Sequence, residues 1–206
     1  MAVVPTKGNL IARKRSLALA EMGYDLMDKK RNVLIREMMR LIDDAADIQS
    51  QIDHTFSTAY RSLQAANISL GIIDRIAGGM PIDRTVEVRN HSIMGVEIPS
   101  IPPDNSAPRL AYGLRDTNSA LDDAYIKFHQ VKQLTRRLAE VETTIYRLAN
   151  AIKKTQKRAN ALKNIVIPQF TASIKFITDV LEEREREEFA RLKVIKRNAQ
   201  AARSQI

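Results

Sequence analysis

The amino-acid sequence predicts an all-α fold: a long antiparallel two-helix coiled coil with a small irregular centre containing a β-hairpin. Three observations lead there. Charged residues make up 28% of the chain and aromatics only 5%, with no Trp and no Cys. This is the profile of Leu-, Ala-, Lys- and Glu-rich helices rather than of a globule. Apolar residues recur every seven positions over two long arms. Gly and Pro, which disfavour helix interiors, gather between 71 and 113, leaving only Pro5, Gly8, Gly23 and Pro168 in the arms.

The first arm, 1–76, carries the repeat from residue 8 onward. Leu10, Leu17, Tyr24, Arg31, Met38, Ala45 and Ile52 form one seam position, and Arg13, Ala20, Met27, Leu34, Leu41 and Ile48 the other. Two basic residues, Arg13 and Arg31, intrude. At Ile48, Ile52 and Phe56 the spacing becomes four and four, a stutter expected to unwind the supercoil locally. The stripe resumes through Ala59, Leu63, Ala66 and Leu70, and Gly78-Gly79 reads as a helix stop.

The centre, 77–116, contains two alternating runs, Thr85–Arg89 and Ile93–Ile98, around the polar Asn90-His91-Ser92. They predict a hairpin at about 85–98. A lone hairpin is marginal in water, so this one is expected to dock on the coil or on a partner.

The second arm, 117–206, is expected to be capped by Asp116 or Thr117. Its seam runs through Ala124, Val131, Leu138, Ile145, Ile152, Ala159 and Val166, with Leu134, Val141, Leu148, Thr155 and Leu162 as companions. A stutter recurs at Leu162, Val166 and Phe170. Pro168 lies within the stripe and predicts a kink at 164–168. At about 1.5 Å per residue, 8–76 would run roughly 100 Å and 117–206 roughly 135 Å. The second arm should therefore overhang the first. A compact bundle of four or five shorter helices is the alternative.

Net charge is +9 and unevenly spread, with no acid after Glu188. A basic end suits nucleic acid, an anionic membrane or an acidic protein partner. No run of 18 apolar residues exists, so membrane insertion is not expected. His54, His91 and His129 have no metal-ligand spacing, no phosphate-binding loop is present and no nucleophile–base set can be assembled. No cofactor, metal or catalytic residue is expected, and a two-helix coil offers no concave pocket. Glu182, Glu183, Glu185, Glu187 and Glu188 alternate with Arg184 and Arg186 and read as a solvated face with i,i+4 pairs. The basic stretch 132–163 lacks interleaved aromatics, so nucleic acid is not the expected partner. A cytoplasmic coiled-coil scaffold or nucleic-acid-binding rod is the rival reading.

Three passages resemble the D subunit of V/A-type rotary ATPases. They are Pro5-Thr6-Lys7 leading to Gly23–Glu37, Arg158–Gln169 with its Asn-Ala-Leu and Ile-Pro around a mid-helix proline, and Glu187–Lys193. The Ile93–Pro99 passage is similar too, whereas the loop Ser100–Pro108 departs from the pattern. The resemblance implies a non-catalytic central-stalk rotor shaft on the cytoplasmic face of a membrane. Its implied partners are the catalytic A and B subunits, the F subunit and a C/d-type socket above the rotor ring. On this reading Arg191, Lys193, Lys196 and Arg197 face the bore of the catalytic hexamer. Val86, Val88, Met94, Val96 and Ile98 of the hairpin bind F or modulate rotation.

Overall fold

The computed structural model describes residues 4–82, 84, 86–104, 112, 113, 115 and 117–203. The expected hairpin start at Thr85, the Asp116 cap, Pro108 and the last residues of the basic tip lie outside them. In chain order the elements are α1 (Lys7–Leu70), α2 (Asp74–Gly78), β1 (Arg89–Ile93), β2 (Val96–Ser100), α3 (Ser119–Ala161), a π turn (Leu162–Val166) and α4 (Ile167–Arg203). They form two compact units, one of residues 1–31 with 154–206 and one of 32–153.

The heptad stripe becomes the core in each unit. In the 32–153 unit, Leu34 and Leu148 are fully buried, Ile48, Ile52 and Val141 share a second cluster, and Ala59 and Ala66 have no exposure. Contacts run from Leu34 with Leu148, through Phe56 with Phe128, to Ser69 with Asn118. One number rises as the other falls, so the helices pair antiparallel. In the unit of 1–31 and 154–206 the same order holds: Lys7 meets Glu185, Arg13 meets Phe170 and Arg31 meets Gln156. The two basic intrusions are thereby accommodated. The Arg13 guanidinium lies over the Phe170 ring at 5.6 Å, a cation–π contact. Arg31 donates to Gln156 Oε1 at 2.7 Å and pairs with Asp28. No buried side-chain nitrogen or oxygen among the described residues lacks a partner.

The two stutters are solved differently. At Ile48, Ile52 and Phe56, α1 stays α-helical and both isoleucines remain buried. At Leu162, Val166 and Phe170 the extra residue is taken up by the π turn, where Ile167 N–H donates to Leu162 O five residues back. The helix neither ends nor restarts at Pro168, so the kink expected there takes the form of this wider turn.

Three local expectations shift. The first helix stops at Gly71, not at Gly78-Gly79: Gly71 adopts φ +81° and its N–H returns to Asn67 O at 3.0 Å, the left-handed cap for which glycine is suited. The second arm is capped by Asn118, whose Oδ1 accepts the Leu121 N–H at 3.0 Å. The hairpin turns at Met94-Gly95, with Ile93 opposite Val96 and Arg89 opposite Ser100. Met94 at φ 51° and Gly95 at φ 74° give the doubly positive pair of a two-residue hairpin turn, whose twist matches that of the strands. Asn90-His91-Ser92, read as the turn, is strand.

The hairpin docks through β2. Ile98 is buried between Leu34 and Leu148 with Ile93 and Val96 around it. Residues Arg136, Glu140 and Arg147 of α3, spaced four and seven apart, secure the chain on either side of Ile98. Arg147 donates to Glu97 O, Glu140 accepts from Ile101 N–H, and Arg136 pairs with Asp104 at 3.1 Å. Near the start of α3, half-buried Tyr112 donates to Asp122 and meets Tyr125 edge-on. Burial first, and then the Asp122 carboxylate, pushes the Tyr112 phenol up to about 12.

Two measurements check this arrangement. Leu34→Ala removes a side chain touching both the opposite helix and the hairpin and is expected to destabilise the chain by about 2–5 kcal/mol. Truncating the exposed Met39 should change the denaturation midpoint little. Tyr112 has a folded pKa above its ordinary value, so its contribution to stability is complete below about pH 10 and is lost as pH rises towards about 12. Tyr112→Phe should delete from an absorbance titration a phenolate that appears towards about pH 12. If the phenolate that the substitution deletes appears near pH 10 instead, the Asp122 contact is not made in solution.

Candidate functional site

Three surfaces are candidates for function. Among the described residues, no group of three His, Asp or Glu is placed to hold a metal ion. Four acids of the cluster on α4 form ion pairs: Glu182 and Glu183 with Arg186, Glu187 with Arg191, and Glu185 with Lys7 at 2.9 Å. The hydrogen bond and charge of Glu185 raise the Lys7 pKa, but both side chains are well exposed, so the pair is screened and contributes little.

The first surface is the end of α4. Arg184 donates to Pro5 O and Lys7 meets Glu185, the furthest level along α4 at which a hydrogen bond or ion pair ties it to the described N-terminal residues. The helix then continues to Arg203. Arg191, Lys193, Lys196 and Arg197 are all exposed there. So are Phe189, Leu192 and Ile195, each more than 60% accessible. These three apolar residues were not singled out from the sequence as contacts. The apolar pattern continues past the helix that would cover it, and only the register of α1 against α4 reveals this. Exposed aliphatic and aromatic side chains among cations, with no acid after Glu188, suit a partner surface both apolar and acidic.

The second surface is the hairpin. The structure separates the five residues predicted to act together. Val86 and Val88 precede β1 and are exposed, and Met94 projects from the turn, half accessible. Val96 and Ile98 are turned to the protein's own core. The strand alternation that suggested a single apolar face was set one turn too early, and Ile98 packs against Leu34 and Leu148.

The third surface was missed. A two-helix coil was expected to lack any concavity, yet the 32–153 unit has a groove of about 970 Å³. Leu63, Leu121 and Phe128 line its helical wall, Met80 and Ile82 one flank and Ile101 to Asp104 the other, with His129, Lys132 and Arg136 at its polar side. It arises because residues 80–82, 84, 86 and 87 share its lining with 101–104 and the helices, a non-local arrangement with no periodic signature. Its lining is mainly apolar.

Among the described residues no helix is long and apolar enough to cross a membrane. A family model for the ATP synthase D subunit matches residues 9–197. The chain is similar to the V-type ATP synthase D subunit of Thermotoga neapolitana, 46% identical over 198 residues, covering 95% of this chain and 98% of that one. It is similar also to the A-type ATP synthase D subunit of Pyrococcus furiosus, 38% identical over 209 residues, 99% of this chain and 98% of the other. That of Thermococcus kodakarensis is 37% identical over 199 residues, 94% and 93% of the two chains. With a family model spanning nearly its whole length and relatives of matching extent, the chain belongs to the ATP synthase D-subunit family.

Proposed function

We propose that this chain is the central-stalk rotor shaft of a V/A-type rotary ATPase, carrying torque between a catalytic A/B hexamer and a membrane rotor ring and holding no catalytic site of its own. The observation that carries the proposal is the end of α4 from Phe189 onward, a stretch without acidic residues whose basic and apolar side chains are exposed beyond the Lys7–Glu185 level. A surface of that kind is suited to a surrounding protein wall. In this reading Arg191, Lys193, Lys196 and Arg197 face the hexamer bore, with Phe189, Leu192 and Ile195 beside them.

The helix pairs suit the task. Twisting a paired coil disturbs two hydrogen-bond ladders and the seam between them, so it resists torsion better than one helix. A shaft without threefold symmetry cannot meet three equivalent interfaces alike. Each orientation therefore favours a different conformation at each of them, a population shift driven by differential contact.

The arms 1–76 and 117–206 form the shaft, and the centre 77–116 serves the F subunit and a C/d-type socket. The chain is held at the cytoplasmic face of the membrane by those partners. Val86, Val88 and Met94 are the hairpin residues left for F or for modulation of rotation.

Deletion of 189–206 should weaken assembly with the hexamer, or the coupling of its hydrolysis to transport, while leaving the unfolding midpoint of the isolated chain nearly unchanged. Unaltered assembly and coupling would falsify the bore contact. Excising the hairpin tip should alter either F binding or the hexamer's ATPase rate; if both stay the same, the hairpin has no part in either.

A further inference from the structure

Two helix-weakening features meet at one level of the unit formed by 1–31 and 154–206. On the second strand of the coil, the π turn at Leu162–Val166 replaces ordinary α-helical hydrogen bonds with the longer Ile167-to-Leu162 bond. Pro168, immediately beyond, has no N–H to donate, so the ladder there also lacks a rung. No residue of the π turn is buried. On the facing helix stands Gly23, where an added Cβ would touch only Leu162 Cδ1, at 3.9 Å.

That distance is an ordinary van der Waals contact, so packing does not require a glycine at 23. Gly23 is also helical, so its backbone conformation does not require one. Glycine is the least favourable residue in a helix interior after proline, and here it has no steric reason to be present. The neighbouring Tyr24 meets Lys163 through a ring–ammonium contact at 5.8 Å. Above and below, the pair is tied by Arg13 with Phe170 and by Arg31 with Gln156.

We infer that the level of Gly23 and Leu162–Pro168 is a compliant joint, at which both strands of this helix pair yield to torsion more readily than the turns on either side. Coincidence of the weak points is what gives the joint its effect. A soft turn in one helix alone would be splinted by its partner, whereas here each helix is weakened where it faces the other's weak turn. Its use in turnover rests on the shaft reading: a yielding level lets the hexamer-side end lag and catch up during discrete steps.

The test uses the full chain, alone and assembled with the catalytic hexamer. By hydrogen exchange, amides of 20–27 and 162–170 should open more readily than those of 154–160 and 172–179. Gly23→Ala should slow exchange around 23 by about fivefold, the difference between Gly and Ala in a helix interior. Pro168→Ala should slow it around 164–168, and in the assembled complex the double variant should lower the hydrolysis rate at least about twofold if yielding is part of the limiting conformational step. Exchange in the parent chain no faster at these amides than in the flanking turns overturns the joint, as does exchange unmoved by the substitutions. Slowed exchange with full turnover overturns its use. A hexamer whose hydrolysis is the same with and without the chain overturns the shaft reading, and the exchange data still decide on the joint.

Discussion

Burial of one apolar seam between two antiparallel helices is the constraint to which each local feature of this chain answers. A helix of 64 residues such as α1 has no core of its own, and its stability in water comes from the face it hides. The seam alternates bulk with small residues: Leu34 and Leu148 fill it at one level, while Ala59 and Ala66 or Ala159 leave room for close approach at others. Charged residues that fall on it must find partners, as Arg13 does on Phe170 and Arg31 on Gln156. The hairpin obeys the same rule, since two strands cannot stand alone, and it survives by adding Ile98 to the Leu34–Leu148 cluster.

That constraint also separates what surface is available for function. Residues on the seam are consumed by folding wherever both helices are present. Beyond the Lys7–Glu185 level the apolar side chains Phe189, Leu192 and Ile195 are accessible. The basic residues beside them would be exposed on any helix. Placed next to uncovered apolar ones, they form a surface that combines long-range attraction with short-range burial.

The arms were legible in the sequence because a seven-residue repeat sustained over many turns has few other physical solutions. Nearly every buried residue of the helices lies on the predicted stripe. What escaped was set by single residues or by non-local contact. Gly71 ends α1 through a left-handed cap, but in sequence it was one glycine among several. The hairpin turn needed positive φ at Met94 as well as Gly95, and methionine gives no hint of that, whereas Asn90-His91-Ser92 has the composition of a turn and yet forms strand. The groove beside Phe128 depends on residues 80–82, 84, 86 and 87 and residues 101–104 reaching the same helices, which no periodicity records. Of the candidate site, the basic tip could be read from charge alone. Its apolar half required the end-to-end register of two helices, and the self-burial of Ile98 required the hairpin's true turn.

The two stutters show how one change in pattern can have different structural outcomes. Each puts a four-residue step where a three-residue one was due, and in a supercoil that extra residue can be spread as slight unwinding over many turns. Around Ile52 it leaves the helix α-helical throughout, with Ile48 and Ile52 still buried. Around Leu162 the same extra residue is concentrated into one π turn. The difference is Pro168. A helix that must lose a hydrogen bond at the proline has already lost part of the cooperativity that would spread the irregularity outward. Gathering the extra residue into the turn next to the missing rung places both irregularities together, and the turns through Phe170 and Ile177 return to regular seam packing, with Ile177 fully buried. The stutter and the proline therefore act as one feature. Neither alone predicts a π turn, and together they account for why the wide turn lies at 162–166.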